Sequence, residues 1–195
     1  MGSYIQYRST LCRKLKLTIS PASPFQRILA TLNAVRYKEC RLTTEQVNYA
    51  VLELLNNSLR AHRTRGVQDP IHLHFIMTSE GLKVYLRDRG GGFDVGSLPY
   101  RLNENPADID VHSDAFEEYR KRHGYARFGL GIYLAKKTFP FFSLNFLDSK
   151  GERIEWQPDR TDGTEIILST ADNQPVEDET EGRRPTALES RSIYA

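Results

Sequence analysis

Glu53, Asn57 and Arg60 stand at i, i+4 and i+7 in the run Glu53-Leu-Leu-Asn-Asn-Ser-Leu-Arg60. On a helix all three project from one side within two turns. An acid, an amide and a guanidinium in one row can hold a hydrated divalent cation against a polyphosphate. The carboxylate orients water or takes a proton, the amide oxygen ligates metal, and the guanidinium meets phosphate. The same row also suits a plain solvated helix face with a Glu–Arg pair.

Three further signals lie downstream. Leu86-Arg-Asp88-Arg-Gly90-Gly-Gly92-Phe-Asp94 sets a carboxylate beside three glycines. Glycine permits positive φ and lets a ligand reach the backbone, while Asp88 can accept from an exocyclic amine such as adenine N6. The alternative is a glycine-rich turn with Asp88 as a turn residue. Arg127-Phe-Gly129-Leu130-Gly131-Ile132 puts glycines at the mouth of a helix, where free N–H groups and the helix dipole favour an anion. Gly163-Thr164 opens a late strand, and its hydroxyl can reach a base or a bridging water.

The elements that must position these residues follow from two hydrophobic periods. Lys14–Ser20 alternates polar residues with Leu15, Leu17 and Ile19, a half-buried strand stopped by Pro21. Ser23 and Pro24 open a helix that runs to Val35. Thr43 and Gln46 stand at capping-box spacing ahead of a second helix. Its stripe of Val47, Ala50, Val51, Leu54 and Leu55 faces a core. Ile71, Leu73, Phe75 and Met77 alternate in one hairpin arm and Leu82, Val84 and Leu86 in the other, with Ser79-Glu80-Gly81 as the turn.

After the glycine break comes a connection of roughly thirty polar residues, long enough to be a lid or disordered, with one weakly helical patch near Ala115–Arg122. Gly129–Phe139 then reads as a helix ended by Pro140, followed by strands at Phe142–Leu147, Arg153–Trp156 and Thr164–Ser169. The order is β-α-α-β-β-lid-α-β-β-β. Strands and helices in blocks predict an α+β fold with helices over one face of a mixed, largely antiparallel sheet.

The 195 residues suit one domain with appendages. With 39% apolar and 27% charged residues the chain is an ordinary globular one, neither fibrous nor wholly disordered. No run of about eighteen apolar residues offers a membrane span, and the first residues lack a signal-peptide core. Cys12 and Cys40 are too few for a disulfide scaffold, so the chain reads as cytoplasmic and reduced. A net charge of +2 with interspersed signs gives no footprint for direct nucleic-acid binding. His72 and His74 form a His-x-His on a strand face without a third ligand. Trp156 and the Phe139–Phe142 cluster read as packing aromatics, and Arg120–Arg122 as a solvated lid face. From Ala171 onward there are few large apolar residues, two prolines and an acidic cluster, the composition of a mobile tail. The alternative is a docking peptide around Leu188 to Tyr194.

Taken together, the order and spacing of these signals resemble the GHKL ATPase superfamily over roughly residues 14–170. Glu53-Leu-Leu-Asn-Asn57 looks like the N-box, Asp88-Arg-Gly90-Gly-Gly92 like the G1 box, Gly129-Leu130-Gly131 like the G2 box, and Gly163-Thr164 like the last box. The resemblance implies a two-layer α/β sandwich, the Bergerat fold, with an ATP lid at about 94–128. Residues 1–13 would be an N-terminal extension and 171–195 a flexible tail. Implied cofactors are ATP and Mg²⁺. Glu53 would take the proton of an attacking hydroxyl, Asn57 would ligate Mg²⁺, and Asp88 would read adenine. Gly90, Gly92, Gly129, Leu130 and Gly131 would wrap base and phosphates, Thr164 would support Asp88 through water, and Arg60 and Arg127 would meet phosphate.

Gyrase-type and chaperone-type members need further domains that this length does not hold, and His62-Arg63-Thr64 is not a histidine-kinase phosphoacceptor box. The arrangement looks like the anti-sigma factor serine/threonine kinases. Those phosphorylate an anti-anti-sigma (STAS-like) partner, sequester a sigma factor, and commonly dimerise. Asn57-Ser-Leu-Arg60 looks more like the Asn-Ala-x-Lys/Arg of histidine kinases, and His62 is one place later than the histidine usual in anti-sigma kinases. The two other readings are a histidine-kinase-like module acting in trans and a non-catalytic, nucleotide-dependent binding module.

Overall fold

A computed structural model describes residues 3–122, 130–171 and 190–194. Ten strands and four helices are present among them: β1 (Tyr4–Tyr7), β2 (Thr10–Cys12), β3 (Lys14–Ile19), α1 (Phe25–Asn33), β4 (Val35–Lys38), α2 (Thr44–Arg65), β5 (Ile71–Met77), β6 (Leu82–Asp88), α3 (Asp114–Arg122), α4 (Leu130–Thr138), β7 (Phe141–Leu147), β8 (Arg153–Ile154), β9 (Gly163–Ser169) and β10 (Ser190–Tyr194). A short 3-10 turn spans Val95–Ser97.

The main sheet has the order β10-β3-β5-β6-β9-β7-β8. Its pairs are antiparallel except β10 with β3. Period-2 alternation sends Leu15, Leu17, Leu73, Phe75, Val84, Leu86, Ile166 and Leu168 to one face. There they meet Ile28 and Leu32 of α1, the stripe of α2, and Ile132 and Ala135 of α4 in a single core. This is the mixed, mostly antiparallel sheet with helices on one face that the sequence predicts.

Helix α2 starts where the capping box places it. Thr43 Oγ1 accepts from the Gln46 amide at 3.2 Å, and Gln46 Oε1 accepts from the Thr43 amide at 2.9 Å. It ends at Gly66 in the left-handed conformation, φ 67°. Asn48 ties α2 to its neighbours, donating to the Leu32 carbonyl at 2.9 Å and accepting from Tyr37 Oη at 3.2 Å.

Three expectations change. The first helix stops at Asn33, and Val35 begins β4, whose Val-Arg-Tyr-Lys alternation buries Val35 and Tyr37. The N-terminal extension is built in: β1 pairs with both β2 and β4, with Ile5 and Tyr7 buried. The stretch expected to be a mobile tail carries β10, which pairs in parallel with β3 from Ser190↔Lys14 to Tyr194↔Thr18. Alternation over so few residues is too short to mark a strand by itself, because a partner's edge supplies most of the stabilisation. The lid region also has its own cluster, in which Tyr100, Ile109 and Phe116 are buried with Leu130 and Tyr133 of α4 packed against them. No helix among the described residues is long and apolar enough to cross a membrane.

The sheet face opposite the helices carries Lys14, Lys16, His72, His74, Tyr85 and Arg87. His74 lies half-buried against Tyr85, ring centroids 6.2 Å apart. Burial first, then the charges of Lys16 and Lys14, lower its pKa from 6.5 to about 4. The folded chain thus resists a proton that the unfolded chain accepts. This contribution to stability is complete above pH 6.5 and is lost as pH falls toward 4. The urea midpoint is expected to fall between pH 7 and pH 5, and His74→Gln to flatten that slope. An unchanged slope in the variant would assign the pH dependence to other groups.

Candidate nucleotide site

Asp88 ends β6 and is 5% exposed. Its carboxylate is met from three directions. Ser58 Oγ of α2 and Thr164 Oγ1 of β9 each donate to Oδ2 at 2.6 Å, and the Gly90 amide donates to Oδ1 at 2.7 Å. A carboxylate offers about four acceptor positions. Three are filled, and one remains for a donor on a ligand.

The local folding explains the convergence. Asp88 pairs directly with Thr164 in the β6–β9 register. Gly163 beside it has no room for a side chain, since a Cβ would stand 2.0 Å from the Asp88 carbonyl oxygen. Ser58 occupies a position on the buried stripe of α2, after Leu54 and Leu55 and before His62. Gly90 lets the end of β6 touch that helix, because a Cβ there would be 2.6 Å from Ala61 Cβ.

His62 completes the support. It is fully buried, and its Nε2 accepts the Arg89 amide at 3.1 Å, 3.9 Å from Asp88 Oδ1. With Nε2 accepting, the ring proton is on Nδ1. That nitrogen is buried and meets no acceptor among the described residues.

Above Asp88 opens a cavity of about 320 Å³. Leu54, Phe93, Leu98, Ile132, Leu144 and Ile166 form its apolar walls, and Asn57, Ser58, Arg60, Thr64, Arg65 and Thr164 line it with Asp88. Tyr119 of α3 closes the lid side. A slot with apolar walls and a carboxylate at its floor suits a flat heteroaromatic ring bearing an exocyclic amine.

The structure brings together Asn57, Arg60, Asp88, Gly90, Gly92 and Thr164 around this cavity. Thr164 reaches Asp88 directly, without the water expected between them. Glu53 is half-buried one turn away, outside the cavity lining. Gly131 sits against α2 beside it, where a Cβ would meet Asn57 Nδ2 at 2.9 Å and the Glu53 carbonyl oxygen at 3.3 Å. Leu130 begins α4 and packs on the lid cluster. Arg127 and Gly129 lie outside the described residues.

Sequence reasoning missed Ser58, His62, Thr64, Arg65 and Tyr119. For the first two a signal exists: polar side chains at stripe positions of a core-facing helix need buried partners.

The lid is fixed to α4 as well. Lys136 Nζ donates to the carbonyls of Leu102 and of Glu104, the latter at 2.9 Å. Tyr100 stacks on Phe116 with ring centroids 5.8 Å apart.

Comparison with known proteins agrees with this geometry. The family described as histidine kinase-like ATPase domain matches residues 22–144, which hold α1 through the start of β7. A stretch of 59 residues is 37% identical to human mitochondrial [pyruvate dehydrogenase (acetyl-transferring)] kinase isozyme 1. The stretch covers 28% of this chain but only 14% of that protein. A matched domain across well over half of the chain, and an Asp88 floor held by α2 and β9, have one conclusion: the chain belongs to the histidine kinase-like ATPase domain family of the GHKL superfamily.

Proposed function

We propose that this ATPase-type domain is a protein kinase that moves the γ-phosphoryl group of ATP to a serine or threonine of a separate protein. The observation that carries the nucleotide part is the Asp88 floor, with three of its acceptor positions filled among the described residues and apolar walls in the cavity above it. The amine of adenine fits the remaining position, whereas a carbonyl oxygen there would face a carboxylate oxygen. Similarity to a human enzyme named as a kinase of pyruvate dehydrogenase supports a protein acceptor. The placement of β3 and α1 ahead of the Glu53–Asn57 helix supports the anti-sigma type, with an anti-anti-sigma-like substrate and a sigma-factor-like partner held by the same chain.

Asn57 lines the cavity beside Gly131 and has an amide oxygen to offer Mg²⁺. No group of three His, Cys, Asp or Glu side chains among the described residues forms a metal cage. Asn57 would hold Mg²⁺ together with oxygens of the bound phosphate, the usual habit of this cation. When bound, it neutralises charge on the transferring phosphoryl group. Glu53, on the same side of α2, takes the proton of the acceptor hydroxyl. That oxygen bonds to the γ-phosphorus as the bond to the β-phosphate oxygen breaks and ADP leaves. One observation favours the non-catalytic reading: Glu53 stands outside the cavity lining, with Gly131 against its carbonyl.

Two predictions separate these parts. Calorimetric titration of ATP with Mg²⁺ should show binding to the wild type, weakened at least about tenfold in Asp88→Asn, whose amide adds a donor to a site built from donors. An equal affinity in the variant would remove Asp88 from nucleotide recognition. Glu53→Gln should keep ATP affinity within about threefold while lowering phosphoryl transfer to an anti-anti-sigma-type domain by about 10²-fold or more. The product should be an acid-stable phosphoserine or phosphothreonine. An acid-labile product would move the acceptor to histidine, and tight ATP binding without transfer would leave a binding module.

A further inference from the structure

The cavity-lining face of α2 extends past Arg60. Asn57, Arg60, Ala61 and Thr64 line the cavity at i, i+3, i+4 and i+7, and Arg65, the last residue of the helix, lines it beside Thr64. A helix rises about 1.5 Å per residue, so Arg65 lies about 12 Å along the axis from Asn57. Ser58 and His62, which hold Asp88 and the turn after it, fall between them. Among the lining residues Thr64, Arg65 and Ser97 are exposed and form the rim.

Arg65 has a seat at that rim. A Cβ on Gly91 would stand 1.6 Å from Arg65 Nη1 and 2.0 Å from its Cζ, so the guanidinium fills the space that a Gly91 side chain would take. Gly91 itself has φ 79°, and its amide donates to the Asp162 carbonyl at 2.9 Å. The preceding amide, that of Gly90, goes to Asp88 Oδ1. The floor carboxylate and the Arg65 guanidinium thus rest on successive residues of one loop. Among the described residues the Arg65 side chain makes no ion pair or hydrogen bond, with Asp88 or with any other group. Arg89, by contrast, is held by Asp162 at 2.8 Å.

Adenine presents an edge that matches this pair of groups. Its exocyclic amine donates and the ring nitrogens on either side of it, N1 and N7, accept, whereas guanine has an oxygen in place of that amine. A carboxylate alone accepts an exocyclic amine without fixing how the ring lies. A donor beside the carboxylate requires an acceptor next to the amine. We infer that Arg65 is a specificity-determining residue of the cavity: its guanidinium donates to a ring nitrogen beside the amine that Asp88 accepts. The inference rests on the nucleotide reading of the cavity. At the rim such a bond is partly exposed to water, so its effect is smaller than that of the buried Asp88 floor.

The test is calorimetric titration of the full chain, with Mg²⁺, against ATP, 7-deaza-ATP and 1-deaza-ATP. Arg65→Met keeps an unbranched side chain on Gly91 and removes the donors, and Arg65→Lys keeps a charge and a donor. Arg65 is exposed, so neither change disturbs the core. ATP affinity should fall about fivefold or more in Arg65→Met and recover in part in Arg65→Lys. The wild type should lose a similar factor with one of the two deaza nucleotides, and Arg65→Met should bind that analogue and ATP alike. The analogue that behaves in this way identifies the nitrogen, N7 or N1. Equal ATP affinity in Arg65→Met overturns the inference and leaves the nucleotide site standing. A loss in Arg65→Met that is the same for ATP and both analogues also overturns it, assigning Arg65 to the helix end, where a cation suits the dipole. A wild type that binds no ATP overturns the reading of the cavity itself, and the role of Arg65 with it.

Discussion

A buried carboxylate needs donors, and satisfying Asp88 constrains most of the domain. Its three hydrogen bonds come from the middle of α2, the first turn after β6 and the second residue of β9. Removing one donor from such a group costs about 1–3 kcal/mol, so each element is held to its place by more than apolar packing. The β6–β9 register cannot slip by one residue without turning Thr164 away from Asp88 and burying Glu165 in its stead. Gly163 enforces the same register sterically. Helix α2 cannot rotate without withdrawing both Ser58 and His62, the latter being the acceptor for the Arg89 amide.

Helix α2 accordingly does two things with one surface. Val47, Val51, Leu54, Leu55 and Leu59 bury it on the sheet, while Ser58 and His62, set in that same stripe, fasten the end of β6. Asn57 and Arg60 flank the stripe and line the cavity together with Leu54 and Ser58 from it. Because neighbouring positions on a helix diverge by about 100°, the side chains that anchor the floor and those that face a ligand alternate along a single turn. The floor and the ligand-facing row are thus one rigid unit, which favours recognition by a site already formed over one assembled on binding.

Much of this was legible in the sequence where a residue's neighbours in the chain are also its neighbours in space. The capping box of α2, the β5–β6 hairpin and the strand ending at Asp88 are of that kind, and each lies where local pattern places it. β1, β2, β4 and β10 were not legible as a sheet edge or a second sheet, since each is short and owes its conformation to a partner distant in sequence. Ser58 was hidden by its company: in a run written Asn-Ser-Leu-Arg the functional eye goes to the amide and the guanidinium. Gly131 reads as a phosphate-loop glycine in the sequence, and the structure adds a second reason for it, the close seat of α4 on Asn57 and Glu53. Glu53 shows what helix spacing leaves open, namely how near the cavity each residue of a row lies. Sharing a helix side with Asn57 does not bring it to the cavity wall when α4 covers its backbone.

The contrast between floor and lid follows from what each is made of. The floor is a set of short hydrogen bonds among elements of the main sheet and α2, all inside the principal core. The described part of the lid has a smaller cluster around Tyr100, Ile109 and Phe116; Leu102 packs on both that cluster and the main core, and α4 adds Leu130 and Tyr133 by packing and Lys136 through two lid carbonyls. Burial lowers the pKa of Lys136, and the Glu104 charge only partly offsets that. The link is therefore bought at a desolvation cost that bonds to two carbonyls must compensate. Since α4 also carries Gly131 against Asn57, the position of the described lid residues and the space left beside that amide are both tied to the same helix. The floor beneath the cavity thus belongs to the principal core, whereas the described part of the lid is held by a smaller cluster, by Leu102 against that core and by Lys136.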